Sequence, residues 1–94
     1  AEQAMVRSVS RVEAARLLGV RAMQLSEGSP PRVSVDDPDL AIDHIYVAAR
    51  ELCDGAMDAC VLRDGALVHV ASFPVPQDVV SMVNTRDGGS RPMR

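Results

Sequence analysis

Residues 10–27 are the part of this chain with the least structural freedom. Ser10 is followed three positions later by Glu13, the capping-box spacing in which a hydroxyl and a carboxylate each accept an orphan amide hydrogen at a helix start. Gly28, Ser29, Pro30 and Pro31 then stop any helix that reaches them, because Gly adopts the left-handed turn and Pro cannot continue the ladder. The predicted helix has about five turns. Ala15, Leu18, Ala22 and Leu25 form its apolar stripe, widened by Leu17, Val20 and Gln24. So broad a face, with Arg16, Arg21 and Gln24 beside or within it, predicts that part of the helix meets something other than solvent. The plainer reading is that Arg16 and Arg21 snorkel over the core edge.

After a linker in which Val33 and Val35 alternate with Arg32 and Ser34, Asp37-Pro38 opens a second predicted helix. Pro suits a first helical turn, and Asp36, Asp37 and Asp39 favour the positive end of the dipole. This helix is expected to run to about Cys53 on a stripe of Ile42, Ile45, Tyr46, Ala49, Leu52 and Cys53, and to stop at Gly55. Residues 59–63 and 66–71 flank Asp64-Gly65, a favoured two-residue hairpin turn. Pro74 and Pro76 end the second strand, residues 78–84 read as one short helical or extended segment, and the chain from Thr85 reads as disordered without a partner. The expected class is α+β: two main helices, a short β-hairpin and an extended C-terminal tail. Its parts are an N-terminal extension over 1–9, an assembly domain over 10–73 and a tail over 74–94.

A chain of 94 residues with one Phe, one Tyr and no Trp must build its core from Ala, Val, Leu, Ile and Met. That is a modest core, which a partner is expected to supplement. The net charge of −3, with ten basic residues that are all Arg, argues against direct nucleic-acid binding. With no signal peptide and no 18-residue apolar run, the sequence reads as intracellular with no membrane contact. His44, Cys53, Cys60 and His69 lack the close ligand pairs of a zinc site, and the acidic cluster at 36–39 lacks the spaced ligands of a calcium loop. No local signature marks a nucleophile with its base, and no Gly-rich turn leads to a Lys that would hold phosphate. The expectation is therefore no catalytic residue, no metal and no cofactor.

The residues from Glu13 to Leu25 are more specific than their pattern. Glu13, Ala15, Arg16, Leu18, Gly19, Arg21, Ala22, Gln24 and Leu25 together closely resemble the signature helix of the omega/K family of RNA polymerase subunits, the sixth shared subunit of eukaryotic nuclear polymerases. Pro30 fits the family's helix-ending Pro, and Asp37-Pro38 its second helix start. Residues 47–52 with Gly55-Ala56-Met57 resemble the second signature, and Arg63 stands at the family's Val/Ile-x-Arg position. The similar segments span about residues 10–71. Departures are Val12 in place of Tyr, extra residues between Pro38 and Val47, a shortened hairpin and a longer tail after Val70. With the Arg-only composition, they suggest a divergent copy from a GC-rich large DNA virus.

The resemblance implies a non-catalytic subunit that clamps the C-terminal region of the largest polymerase subunit and promotes assembly. It implies location in the nucleus, or in the virion and viral factory for a virus-encoded copy. Candidate partner-binding residues are Arg16, Gly19, Arg21, Ala22, Gln24, Glu51 and Leu52, with Ala15, Gly19 and Ala22 small enough for close backbone approach. Glu51 is alternatively expected to pair with an Arg inside the domain. The competing function is a free-standing protein-binding adaptor using the same helix face.

Overall fold

A computed structural model describes residues 9–88, with side chains described through Arg86. Helix α1 covers Arg11–Ser26, α2 Pro38–Ala41 and α3 His44–Cys53; strands β1 (Cys60–Arg63) and β2 (Ala66–His69) follow, then a 3-10 turn at Val70–Ser72 and helix α4 at Gln77–Gly88. The α+β class and the order of helices before hairpin agree with the sequence reading.

Both ends of α1 are closed as its sequence requires. The Glu13 amide donates to Ser10 Oγ at 3.1 Å, and the Ser10 amide donates to Glu13 Oε1 at 2.9 Å. At the other end the Ser29 amide reaches the Gln24 carbonyl at 3.0 Å and the Gly28 amide reaches Leu25 at 3.1 Å. This is a Schellman ending, which needs the left-handed residue that Gly28 supplies at φ 105°. The buried face of α1 carries Ala14, Arg21 and Leu25, with Leu17 and Leu18 packed at its edge. The expected stripe through Ala15 and Ala22 is therefore rotated: Ala15 is exposed and Ala22 half-buried.

The predicted single helix over 38–53 is two. Asp37 caps α2 through the Asp39 amide, and Asp43 caps α3 through the Tyr46 amide at 3.1 Å. A side chain that captures its own downstream amide competes with continuation of the helix through it. The break leaves Ile42 76% exposed instead of in the core. Beyond it, α3 is buried on nearly every side, with Tyr46, Val47, Ala48, Ala49, Glu51 and Leu52 all inside. It is the central helix, packed against α1, α2 and α4.

The hairpin pairs Cys60 with His69, Val61 with Val68, Leu62 with Leu67 and Arg63 with Ala66. Asp64 and Gly65 both have positive φ, 52° and 80°, the type I′ geometry that matches strand twist. Residues 77–88 take the helical alternative read for 78–84 and carry it past Thr85, where a disordered tail was expected. They form a helix that lies on α3 with Val79 and Val83 buried one turn apart. Its ends are tied by Arg11 to Asp78 at 2.5 Å and by an ion pair between Arg86 and Asp43. The expectations for residues 1–8 and 89–94 lie outside the described residues.

Candidate functional site

Three of the seven candidate partner residues converge on one another. The Arg21 guanidinium lies against Glu51 with Nε to Oε1 at 2.6 Å and Nη2 to Oε2 at 3.0 Å, a bidentate pair across 30 positions of sequence. Nη2 also donates to the Pro30 carbonyl at 2.9 Å, and Nη1 to Gln24 Oε1 at 3.2 Å. The Arg32 amide completes the carboxylate by donating to Oε2 at 2.8 Å. Glu51 is wholly buried, and the Arg21 side chain is 11% exposed. Donating to Glu51 raises the already high pKa of Arg21. This clasp joins α1, the Pro-containing linker and α3. Among the described residues no buried side-chain nitrogen or oxygen lacks a partner.

A second polar contact joins α1 to the hairpin. Arg63 meets Glu13 with Nη1 to Oε2 and Nη2 to Oε1 both at 2.6 Å, while its guanidinium lies 5.3 Å from the centre of the Phe73 ring. The Arg63 hydrogen bond, aided by the Ser10 amide, lowers the Glu13 pKa to about 2. Sequence reasoning gave Glu13 its capping role and missed the hairpin contact; nothing in the spacing relates positions 13 and 63.

The remaining candidates divide by location. Leu52 belongs to the core, and Ala22 is half-buried. Arg16 and Gly19 lie on the opposite side of α1, where Val12 is 70%, Val20 57% and Met23 61% exposed. A Cβ built on Gly19 meets nothing within 4 Å. The helix thus buries a mainly apolar face that carries one satisfied charge, Arg21, and leaves Val12, Val20 and Met23 largely uncovered by the described residues on its other side.

Among the described residues no three His, Cys, Asp or Glu groups gather as a metal site, and no helix is long and apolar enough to cross a membrane. Burial pushes the Cys53 thiol pKa up, away from the thiolate a nucleophile needs.

The same chain is similar to two curated proteins. It is 36% identical over 58 residues to DNA-directed RNA polymerase subunit Rpo6 of Methanothermobacter thermautotrophicus, an alignment covering 62% of this chain and 90% of that relative. The chain belongs to the Rpo6 family. This is the omega/K family that the signature helix resembles. Rpo6 of Pyrobaculum aerophilum is 32% identical over 56 residues, 60% of this chain; the match spans about half of that relative, 52% of its length. No protein-family model matches the chain. Of the residues on which the sequence resemblance was read, Arg21, Gln24 and Glu51 lie in the clasp, while Arg16 and Gly19 face outward.

Proposed function

We propose that this chain is a non-catalytic subunit of a DNA-directed RNA polymerase that clamps the C-terminal region of the largest subunit and promotes assembly. The observation that carries this reading is the similarity to an Rpo6 chain over 90% of that relative's length. The geometry supports it. The clasp uses the chain's buried charges for its own fold, and the uncovered face of α1 with Val12, Gly19, Val20 and Met23 is left for another chain. No membrane and no sequence-specific nucleic-acid contact enter this proposal; its location is that of the polymerase, the nucleus, or the virion and viral factory for a virus-encoded copy.

The test is affinity purification of the tagged chain from its native cells or virions. Stoichiometric recovery of polymerase subunits at raised salt is the expected result. Recovery of a different partner in their place would leave the free-standing adaptor, and would sink the polymerase reading. Within a polymerase complex, Met23→Asp is expected to reduce recovery of the largest subunit while leaving the fold of the free chain intact, since Met23 is mainly exposed.

A further inference from the structure

Val61 is buried and Cys60 is exposed, and alternate residues of a strand point to opposite faces. A groove of about 320 Å³ is nevertheless lined by both of them, together with Glu13, Arg16, Leu17 and Val20 of α1. A hollow that touches both faces of a strand lies along its edge. The other edge of β1 is filled by β2, so this groove runs between α1 and the edge of β1 that no described strand pairs.

The hairpin fixes which backbone groups point into that edge. In a two-residue hairpin the pair flanking the turn, Arg63 and Ala66, exchanges both ladder bonds, and the pattern alternates from there. The bond from the Val70 amide to the Ala59 carbonyl at 2.8 Å keeps the same phase. Ala59, Val61 and Arg63 therefore face β2, and Cys60 and Leu62 face outward. The Leu62 carbonyl already accepts from Arg63 Nη1 at 2.8 Å. Among the described residues, the Leu62 amide and both backbone groups of Cys60 have no partner.

The charges along the groove have one sign left over. Glu13 is neutralised by Arg63, whereas Arg16 has no partner among the described residues. A smaller hollow that shares Leu17 and Val20 with it is lined by charges of both signs, Arg32, whose amide serves Glu51, and Asp58, whose carboxylate lies 3.3 Å from His69 Nε2. Among the described residues the groove itself is left with one unpaired charge, that of Arg16, over an apolar floor of Leu17, Val20 and Val61.

We propose that this groove takes an extended segment of the largest polymerase subunit as an added strand on β1, with alternate apolar residues against Leu17 and Val20 and an acidic residue facing Arg16. The proposal rests on the polymerase reading and deepens it: main-chain bonds to Cys60 and Leu62 supply affinity, and side chains in the groove set register.

Amide hydrogen exchange tests it on the full 94-residue chain, free and in complex with the largest subunit. The amides of Cys60 and Leu62 are expected to slow on assembly, while those of Val61 and Arg63, already bonded to β2, change little. Leu62→Pro removes only an outward amide, which an edge strand tolerates, and is expected to weaken the complex where Leu62→Ala does not. Arg16→Glu should weaken it about tenfold or more, the scale of a lost charge-assisted contact. A complex that forms with Cys60 and Leu62 exchange unchanged, or that is indifferent to Leu62→Pro and Arg16→Glu, overturns strand addition and leaves the polymerase reading standing. Failure to form any complex overturns both.

Discussion

Arg21 makes four hydrogen bonds to three residues, and each partner is lost if the guanidinium goes. Removing one member of a buried ion pair costs about 3–5 kcal/mol, a large part of the about 5–15 kcal/mol that holds a small domain together. Arg21→Met is therefore expected to lower the unfolding free energy by that amount in a denaturant titration. Replacing both partners, Arg21→Met with Glu51→Leu, should recover only part of it, because the Pro30 carbonyl and the Arg32 amide would then be orphaned. Glu13 gives a pH prediction. Its folded pKa is about 2 against an ordinary 4.5, so its contribution to stability is complete above pH 4.5 and is lost as pH falls toward 2. Stability measured across that window should fall less steeply for Glu13→Gln than for the parent chain. The residue types at these sites were legible: an Arg and a Gln on a helix side, and a Glu on the next helix. That Glu51 pairs with an Arg of its own domain was expected too; which Arg it is, and that Glu13 meets Arg63, was not, since a partner 30 or 50 positions away leaves no mark in local spacing.

The two ends of α1 were readable to within a residue because capping and termination are local chemistry, carried by Ser10, Glu13 and Gly28. Ser10→Ala should cost about 1 kcal/mol in thermal or chemical unfolding. Its rotation about its axis was harder to read. Alanines at 14, 15 and 22 fit either phase, and counting Arg21 as polar placed the core one step away from where Ala14, Arg21 and Leu25 put it. Gly19 separates folding from assembly. With open space around it, Gly19→Ala is expected to stabilise the free chain by up to about 1 kcal/mol through helix propensity. If another backbone comes close at that point, the same change should reduce recovery of the largest subunit. An unchanged recovery would remove Gly19 from the interface. The break between α2 and α3 was missed because Ile42 and Ile45 continue a helical stripe, while the stop depends on Asp43 turning its carboxylate to the Tyr46 amide.

At the scale of the whole molecule, α3 is covered by α1 and by α4, and this explains how a chain with so few aromatic residues encloses a core. The chain from 77 onward looked like a tail because Val79 and Val83 are two apolar residues in a mostly polar segment. Only the presence of α3 beneath them makes them a buried face. The ion pairs at either end of α4 lie near the surface, where water and salt screen them, whereas a buried valine is worth roughly 1.5–3 kcal/mol. A chain ending at Pro76 should therefore melt at lower temperature by calorimetry, while Asp78→Asn should melt almost as the parent does.

The clasp also limits how such a sequence is free to change. Arg21, Glu51, Pro30 and Arg32 satisfy one another across three segments, so a substitution at Arg21 is tolerable only together with changes at the positions it serves. These positions should vary as a set. Val12, Gly19, Val20 and Met23 on the far side of the same helix answer to no such internal agreement. One helix thus carries two histories, one tied to its own chain and the other able to follow the surface it meets.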